Sequence, residues 1–404
     1  MTVILERDCV IAGGGPAGMV LGYLLARSGL RVSVLEKHAD FFRDFRGDTV
    51  HPSTVTVLRE LGLRDRFLQL PVNRLRTLDL VVDDHRLRLV DFSTLPAPET
   101  FLVLAPQWDF LNFLGAEGAA FEGFDLRMNT DATGLIIEGD VVRGLRATGP
   151  DGDLEIRATL TVAADGRAST LRDAAGLVPE ELGVPIDVLW FGLPKPTDPP
   201  PPTIAYASPR GMVITIDRGD RYQSGMVVKK GGLDALKQEG LPALRKHISD
   251  SATVLATVVE ALTDWDQIKL LSVQINRLEK WHRPGFIAIG DAAHAMSPVF
   301  GVGVNYAVQD AVALSNAIAG DLAAGTAPEA TLAAVQARRM GPVRKMQRVQ
   351  RFAHGRLARA TAGQHLAPRW AIGLLRASLP VTRRFLTRFI GLGFLPEHVD
   401  RPVR

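Results

Sequence analysis

"DCVIAGGGPAGMVLGYLLARSGLRVSVLE", residues 8–36, is the stretch on which the fold turns. A short apolar run ends in glycines, and a helical periodicity with proline near its first turn follows. Gly29 stops that helix, and a second apolar run ends in Glu36. The order is strand, glycine-rich turn, helix, strand. Gly13, Gly15 and Gly18 stand in a G-x-G-x-x-G frame. Gly13 permits a tight turn, Gly15 lets the backbone approach a pyrophosphate, and Gly18 lets helix and strand pack closely. The helix N-terminus attracts phosphate, and Glu36 is placed to accept hydrogen bonds from a ribose. The stretch predicts a dinucleotide site and leaves FAD and NAD equally open.

Two further motifs lie outward along the chain. "AADGRASTLR", 163–172, ends a strand-like run and sets Asp165, Gly166, Ser169 and Arg172 in a D-G-x-x-S-x-x-R frame. Taken alone it reads equally well as a turn with a helix cap. "GDAAHAMSPVFGVGVNYAVQDA", 290–311, places Asp291 at a strand end, then Pro298 and two glycines before a helical pattern. That arrangement supplies one carboxylate and unclaimed backbone N–H groups at a helix start.

In this order and spacing, the three motifs resemble the class A flavoprotein monooxygenases, the para-hydroxybenzoate hydroxylase family. "FRDFRGDTVHPSTVTVLRELGL" (42–63) is similar to the family's arginine segment, and "PQWDFLNFL" (106–114) to its glutamine-containing helix start. The resemblance runs from about residue 5 to residue 325. It implies an α/β fold: a Rossmann-like FAD-binding domain, an inserted β-sheet substrate domain and C-terminal helices. It also implies roles. Gly13, Gly15, Pro16, Ala17, Gly18, Glu36 and Lys37 would hold the ADP half of FAD, with Arg46 and Gln107 on its phosphates or ribityl chain. Asp165 and Gly166 form the family's second fingerprint, and Asp291 would hold the ribityl. Pro298, Gly301, Gly303, Val304 and Asn305 would line the flavin ring. No second strand-linked glycine motif serves the reductant, as expected where NADPH or NADH binds transiently. The implied reaction uses NAD(P)H and O2 to hydroxylate an aromatic or similar electron-rich molecule through a flavin C4a-hydroperoxide.

The rest of the chain fits a discontinuous layout. Residues 1–75, 100–182 and 276–365 are expected to form the FAD domain, and 76–99 with 183–275 the β-sheet domain. A basic helical segment, 366–404, follows. "RTLDLVVDDHRLRLVDF" alternates around a turn and predicts a hairpin, whereas "PKPTDPPPP" predicts a loop. Trp190, Phe191, Tyr206, Met212 and Tyr222, all in strand-like runs, are the substrate-side candidates, with ordinary sheet packing as the simpler reading. His51 and His294 are read as structural, Cys9 as a buried filler, and the histidines show no metal-ligand spacing.

Several alternatives stay open. "LWFGLP" departs from the W-x-W-x-I-P signature of flavin-dependent halogenases, which disfavours halogenation. An FAD-dependent reductase of a lipid or quinone-like substrate shares the same motifs, and a non-turnover FAD-binding module is not excluded by them. No run reaches the roughly 18 apolar residues of a membrane span, and the N-terminus does not read as a signal peptide, so a soluble cytoplasmic protein is expected. Residues 338–404 carry fifteen Lys/Arg against two acids, a charge of +13 that leaves −10 on the remainder of a chain of net +3. No recognition motif points to nucleic acid. The tail is expected either to pack its apolar side on the FAD domain, with its arginines meeting that acidic remainder, or to lie on an anionic membrane surface.

Overall fold

In the computed structural model, which describes residues 3–42, 48–82, 85–197, 205–208, 211–361, 364 and 369–400, the Val3–Ala12 strand sits at the centre of an eight-stranded sheet. It pairs in parallel with Val32–Leu35 on one side and Gly152–Ala163 on the other. Phe124–Arg127 extends the parallel sheet beyond Val32–Leu35, and Phe286–Ala288 extends it beyond Gly152–Ala163. The antiparallel strands Asp131–Glu138 and Val141–Gly149 form an arm on Gly152–Ala163.

The apolar runs explain the order. Val10, Ile11, Val32, Val34, Leu160 and Val162 are fully buried, as strands covered on both faces require. The Pro16–Arg27 helix crosses from the first strand to the second with proline in its first turn. It packs tightly there because Gly22 is bare: a Cβ at that position would stand 2.5 Å from Val34.

A second, seven-stranded sheet is built from Lys269–Leu271, Ile186–Pro194, Arg221–Lys229, Gly211–Asp217, Ala205–Ser208, Thr77–Val82 and His85–Asp91, in that spatial order. All neighbours are antiparallel except Ala205–Ser208 with Thr77–Val82. The hairpin expected near residue 76 therefore adds to the sheet formed mainly after residue 185. One face of this sheet is covered by the Leu241–Ser251 helix through Leu244 and Ile248. The other meets Val299 of the third motif and Leu357 of the long Glu329–Thr361 helix.

Residues 49–70 hold the two-residue strand Thr49–Val50, paired with Leu102–Leu104, before the Pro52–Glu60 and Arg64–Phe67 helices. The helical pattern expected beyond the two glycines of the third motif is a helix that begins at the second of them, Gly303, and runs to Ala323. The second half of the proline-rich loop, residues 198–202, lies outside the described residues.

Candidate active site

Strand register brings the three motifs together. Ala12 stands beside Ala163, and Ala163 beside Ala288. The chain thus leaves three adjacent parallel strands at Gly13, Ala164 and Ile289, all at the carboxyl edge, where open α/β sheets bind ligands. Backbone bonds fix the exits: Ala164 N–H donates to Ala12 O and Ile289 N–H to Ala163 O.

The first turn leaves no room for side chains. Gly13 has φ +105°, and a Cβ there would lie 2.3 Å from Ala164 O; at Gly18 it would lie 2.0 Å from Gly13 O. Gly15 differs, because nothing stands within 4 Å of its would-be Cβ. It precedes the Pro16–Arg27 helix in an extended conformation with no side-chain cap, so the first helical amides remain available to an anion. A cavity of about 540 Å³ opens in front of them, within the usual range for cofactor pockets. Glu36, Lys37, Gln107 and Asp165 line it, together with Trp190 and Leu271 of the second sheet. Bare glycines, an uncapped helix start and a carboxylate ending the second strand suit the ADP half of FAD. Ala17 and Gly18 are buried in the helix itself and shape the turn.

The second motif is built as a turn with a helix cap. Ser169 caps the Thr170–Ala174 helix by accepting from Arg172 N–H at 3.0 Å, and its hydroxyl bonds Asp165. Arg172 is buried and donates to Arg167 O at 2.9 Å. The motif is therefore a capped turn, yet its Asp165 faces the cavity. Burial raises the Asp165 pKa against the opposing bonds from Ser169 and Leu171 N–H. Gly166, at φ +87°, supplies the left-handed turn.

The third motif is held from several directions. Asp291 pairs with Arg167 at 3.1 Å, joining the second and third motifs. Gly301 O accepts from the Thr49 hydroxyl at 2.7 Å and faces His51 Nε2 at 2.9 Å. His51 Nδ1 in turn faces Ile390 O at 2.7 Å. Ser297 Oγ accepts from Val299 N–H and meets His354 Nε2 at 2.7 Å. Gln350 donates to both Ser297 O and Val299 O at 3.0 Å. Burial draws His354 down to about 4, so it is neutral at pH 7.

Phe300 takes φ +71°, a left-handed conformation that is costly for a bulky residue. Its ring packs edge-on to Phe389, 5.9 Å between centroids. Pro298 opens this turn, and the Gly303–Ala323 helix starts beyond it without a side-chain cap. Val304 is buried, and so is Asn305, whose Oδ1 accepts from both Ser53 and Thr54 at 2.7 Å. The Asn305 side-chain oxygen is thus committed to the neighbouring helix.

A buried charged cluster stands behind the motif. Asp310 pairs with His294 at 2.6 Å and Arg339 at 3.0 Å, and accepts from Gly290 N–H at 3.1 Å. Burial pushes the Asp310 carboxyl up, but His294 and Arg339 together hold it below the ordinary range. His294 is thereby a support of the strand end, in keeping with its structural reading.

Strand alternation divides the substrate-side candidates. Trp190 and Met212 lie on the face that meets Val299 and Leu357. Trp190 is buried over Gly225, where a Cβ would come within 3.1 Å of the indole, and its Nε1–H has no partner among the described residues. Phe191, Tyr206 and Tyr222 belong to the opposite face, under Leu244 and Ile248. Those three are corrected to packing residues: successive side chains on a strand point to opposite faces, so Trp190 and Phe191 cannot share a site. Arg46 lies outside the described residues.

Thr49, Ser53, Thr54, Phe300 and His354 escaped the sequence reading, as did an ion pair between Arg218 and Asp48 that ties the second sheet to the start of the Gln107–Gly118 helix. Only "TVHPST" offered a signal, through its histidine between a strand pair and a proline-started helix.

Comparison with known proteins agrees with this geometry. The family model described as FAD binding domain matches residues 6–350. The 6-methylpretetramide 4-monooxygenase of Streptomyces rimosus is 31% identical over 95% of this chain and 92% of its own length. A 12-dehydrotetracycline 5-monooxygenase/anhydrotetracycline 6-monooxygenase of Streptomyces rimosus subsp. rimosus is 27% identical over 83% of this chain and 67% of its own. The crystal structure of p-nitrophenol 4-monooxygenase from Pseudomonas putida superposes with a TM-score of 0.76 at 20% identity, covering 98% of this chain and all of that one, a likeness of fold.

Proposed function

The chain belongs to the FAD-binding-domain family of class A flavoprotein monooxygenases, and from that premise we propose that it hydroxylates an aromatic, polyketide-like small molecule in the cavity between the first glycine turn and the second sheet. The observation that carries this reading is one continuous cavity that runs from Gly13–Gly15 and Glu36 to Trp190 and Leu271. It joins a cofactor cradle to an apolar sheet face.

FAD bound there and reduced by NAD(P)H would supply the activation of O2, which is the hard step of the chemistry. The chain's own residues would do the rest. The amides after Gly15 and the helix start bind the pyrophosphate, and Glu36 accepts from the ribose. Asp291 receives ribityl hydroxyls, exchanging part of its contact with Arg167. The uncapped start of the Gly303–Ala323 helix carries partial positive charge that would favour the negatively charged reduced flavin. Trp190 and Leu271, backed by the packed Met212, Val299 and Leu357, form an apolar wall of the cavity that orients a flat substrate and excludes water. The indole N–H of Trp190, without a partner among the described residues, would be a donor for a carbonyl or phenolic oxygen.

The test is a panel of phenols and polyketide-like aromatics incubated with NADH or NADPH. Substrate-dependent nicotinamide oxidation, matched by O2 uptake and a product one oxygen atom heavier, is expected for at least one fused-ring member. Product formed without O2 would overturn oxygenation. Turnover confined to single-ring phenols would overturn the substrate class alone.

A further inference from the structure

We propose that the outward face of the Arg369–Leu392 helix is a docking surface for an anionic lipid bilayer. The helix has a settled inner side. Leu379, Thr387, Phe389 and Ile390 are buried, and the Thr387 hydroxyl accepts from Asp91 N–H at 3.1 Å, which fixes the helix on the His85–Asp91 strand. The outer side presents Trp370, Leu374, Val381 and Phe385 at 73%, 63%, 79% and 69% exposure. Their spacing of four, seven and four residues gathers them within about 60° of one another at 100° per residue, a single stripe along the helix. Large apolar side chains in an exposed row mark an interaction surface.

Charge identifies the occupant. Residues 366–395 contain five arginines and no acid. Arg388 falls in line with the stripe and Arg384 beside it. Among the described residues, neither they nor Arg376 and Arg383 are in an ion pair. Among the described residues, the arginines on the outward side, Arg384 and Arg388, therefore pair with no acid of the protein, although the inner side packs on it. A second copy offering the same face would set these cations against each other with no acid between them. An anionic bilayer satisfies both features: tryptophan, phenylalanine and aliphatic side chains enter the interface while arginines meet lipid phosphates. No helix of the described residues is long and apolar enough to cross the membrane, so the contact is peripheral.

The test is co-sedimentation of the full-length, FAD-loaded protein with vesicles of phosphatidylcholine alone or mixed with phosphatidylglycerol. The wild type is expected to pellet with the mixed vesicles only, and less so as salt rises. A V381E/F385E double variant should bind at least about tenfold more weakly, with unchanged flavin absorbance and unchanged turnover of a soluble substrate. An R384Q/R388Q variant, which alters no packed residue, should also lose affinity for the mixed vesicles. Absence of pelleting, or equal pelleting of wild type and both variants, would overturn the proposal. So would light scattering that shows a wild-type dimer, made monomeric by V381E/F385E, without vesicle binding; the face would then be a contact between copies.

Discussion

The two glycine-bearing loops of the site are built on opposite principles. The Gly13–Gly18 turn is shaped by backbone alone: Gly13 O of the turn itself, and Ala164 O at the exit of the neighbouring strand, stand where side chains would have to be. The Pro298–Gly303 loop is shaped by side chains from elsewhere. Thr49 and His51 hold Gly301 O, Gln350 and His354 hold Ser297 and Val299, and Phe389 supports a left-handed Phe300. The first loop is rigid because it is crowded, the second because it is braced. The crowding at Gly18 is local to the sequence, that at Gly13 needs one strand pairing, and the bracing of the second loop draws on several distant elements.

The sharpest way to break this comparison is within the first loop. Gly13→Ala puts a Cβ against a carbonyl at a positive φ, so both the fold and FAD retention should suffer. A fall in FAD affinity of at least about a hundredfold, near 3 kcal/mol, is expected together with a lower thermal midpoint. Gly15→Ala meets no protein atom and should weaken FAD while leaving the apoprotein's thermal midpoint intact. Equal loss of apoprotein stability in both variants would show that Gly15, too, is a packing glycine.

A smaller effect separates the braced loop by pH. His354 has a folded pKa of about 4 against 6.5 unfolded, so folding favours its neutral form. The stability this gives is complete above pH 6.5 and lost as pH falls toward 4, on the order of 3 kcal/mol at most. The urea midpoint should decline across that window, and His354→Gln should flatten this part of the profile. An unchanged profile in that variant would remove His354 as its source.

The smallest expected effect is at Thr49. Thr49→Val deletes one hydrogen bond to Gly301 O and keeps the shape, costing about 1 kcal/mol. If the brace matters to the site, turnover should fall more than this stability change accounts for. A kcat within error of wild type would place the whole burden on His51.

What could be read from sequence follows the same division. The strand–turn–helix around Gly13 was legible because glycine spacing and periodicity are contiguous, and the register of Ala12, Ala163 and Ala288 then collects the three motifs. Trp190 was legible as an aromatic in a strand, but its separation from Phe191 required knowing which face met Val299. Asn305 stands where a ring contact was expected, yet Ser53 and Thr54 claim its oxygen. Nothing near position 305 announces partners some 250 residues away. The tail was half legible: an apolar inner side was expected and found, while unpaired arginines became visible only once neighbouring side chains were placed.

His51 touches Gly301 and Ile390, the second of these 339 residues further along the chain. On a ribosome adding about 5–20 residues per second, the first partner waits roughly 20–70 s for the last. The central strands can pair once residue 288 has emerged, and the glycine turn can form with them. The loop at Gly301 stays without its full brace until the helix bearing Ile390 is made. The site is thus finished in an order set by synthesis, with the phosphate end early and the loop opposite the second sheet late.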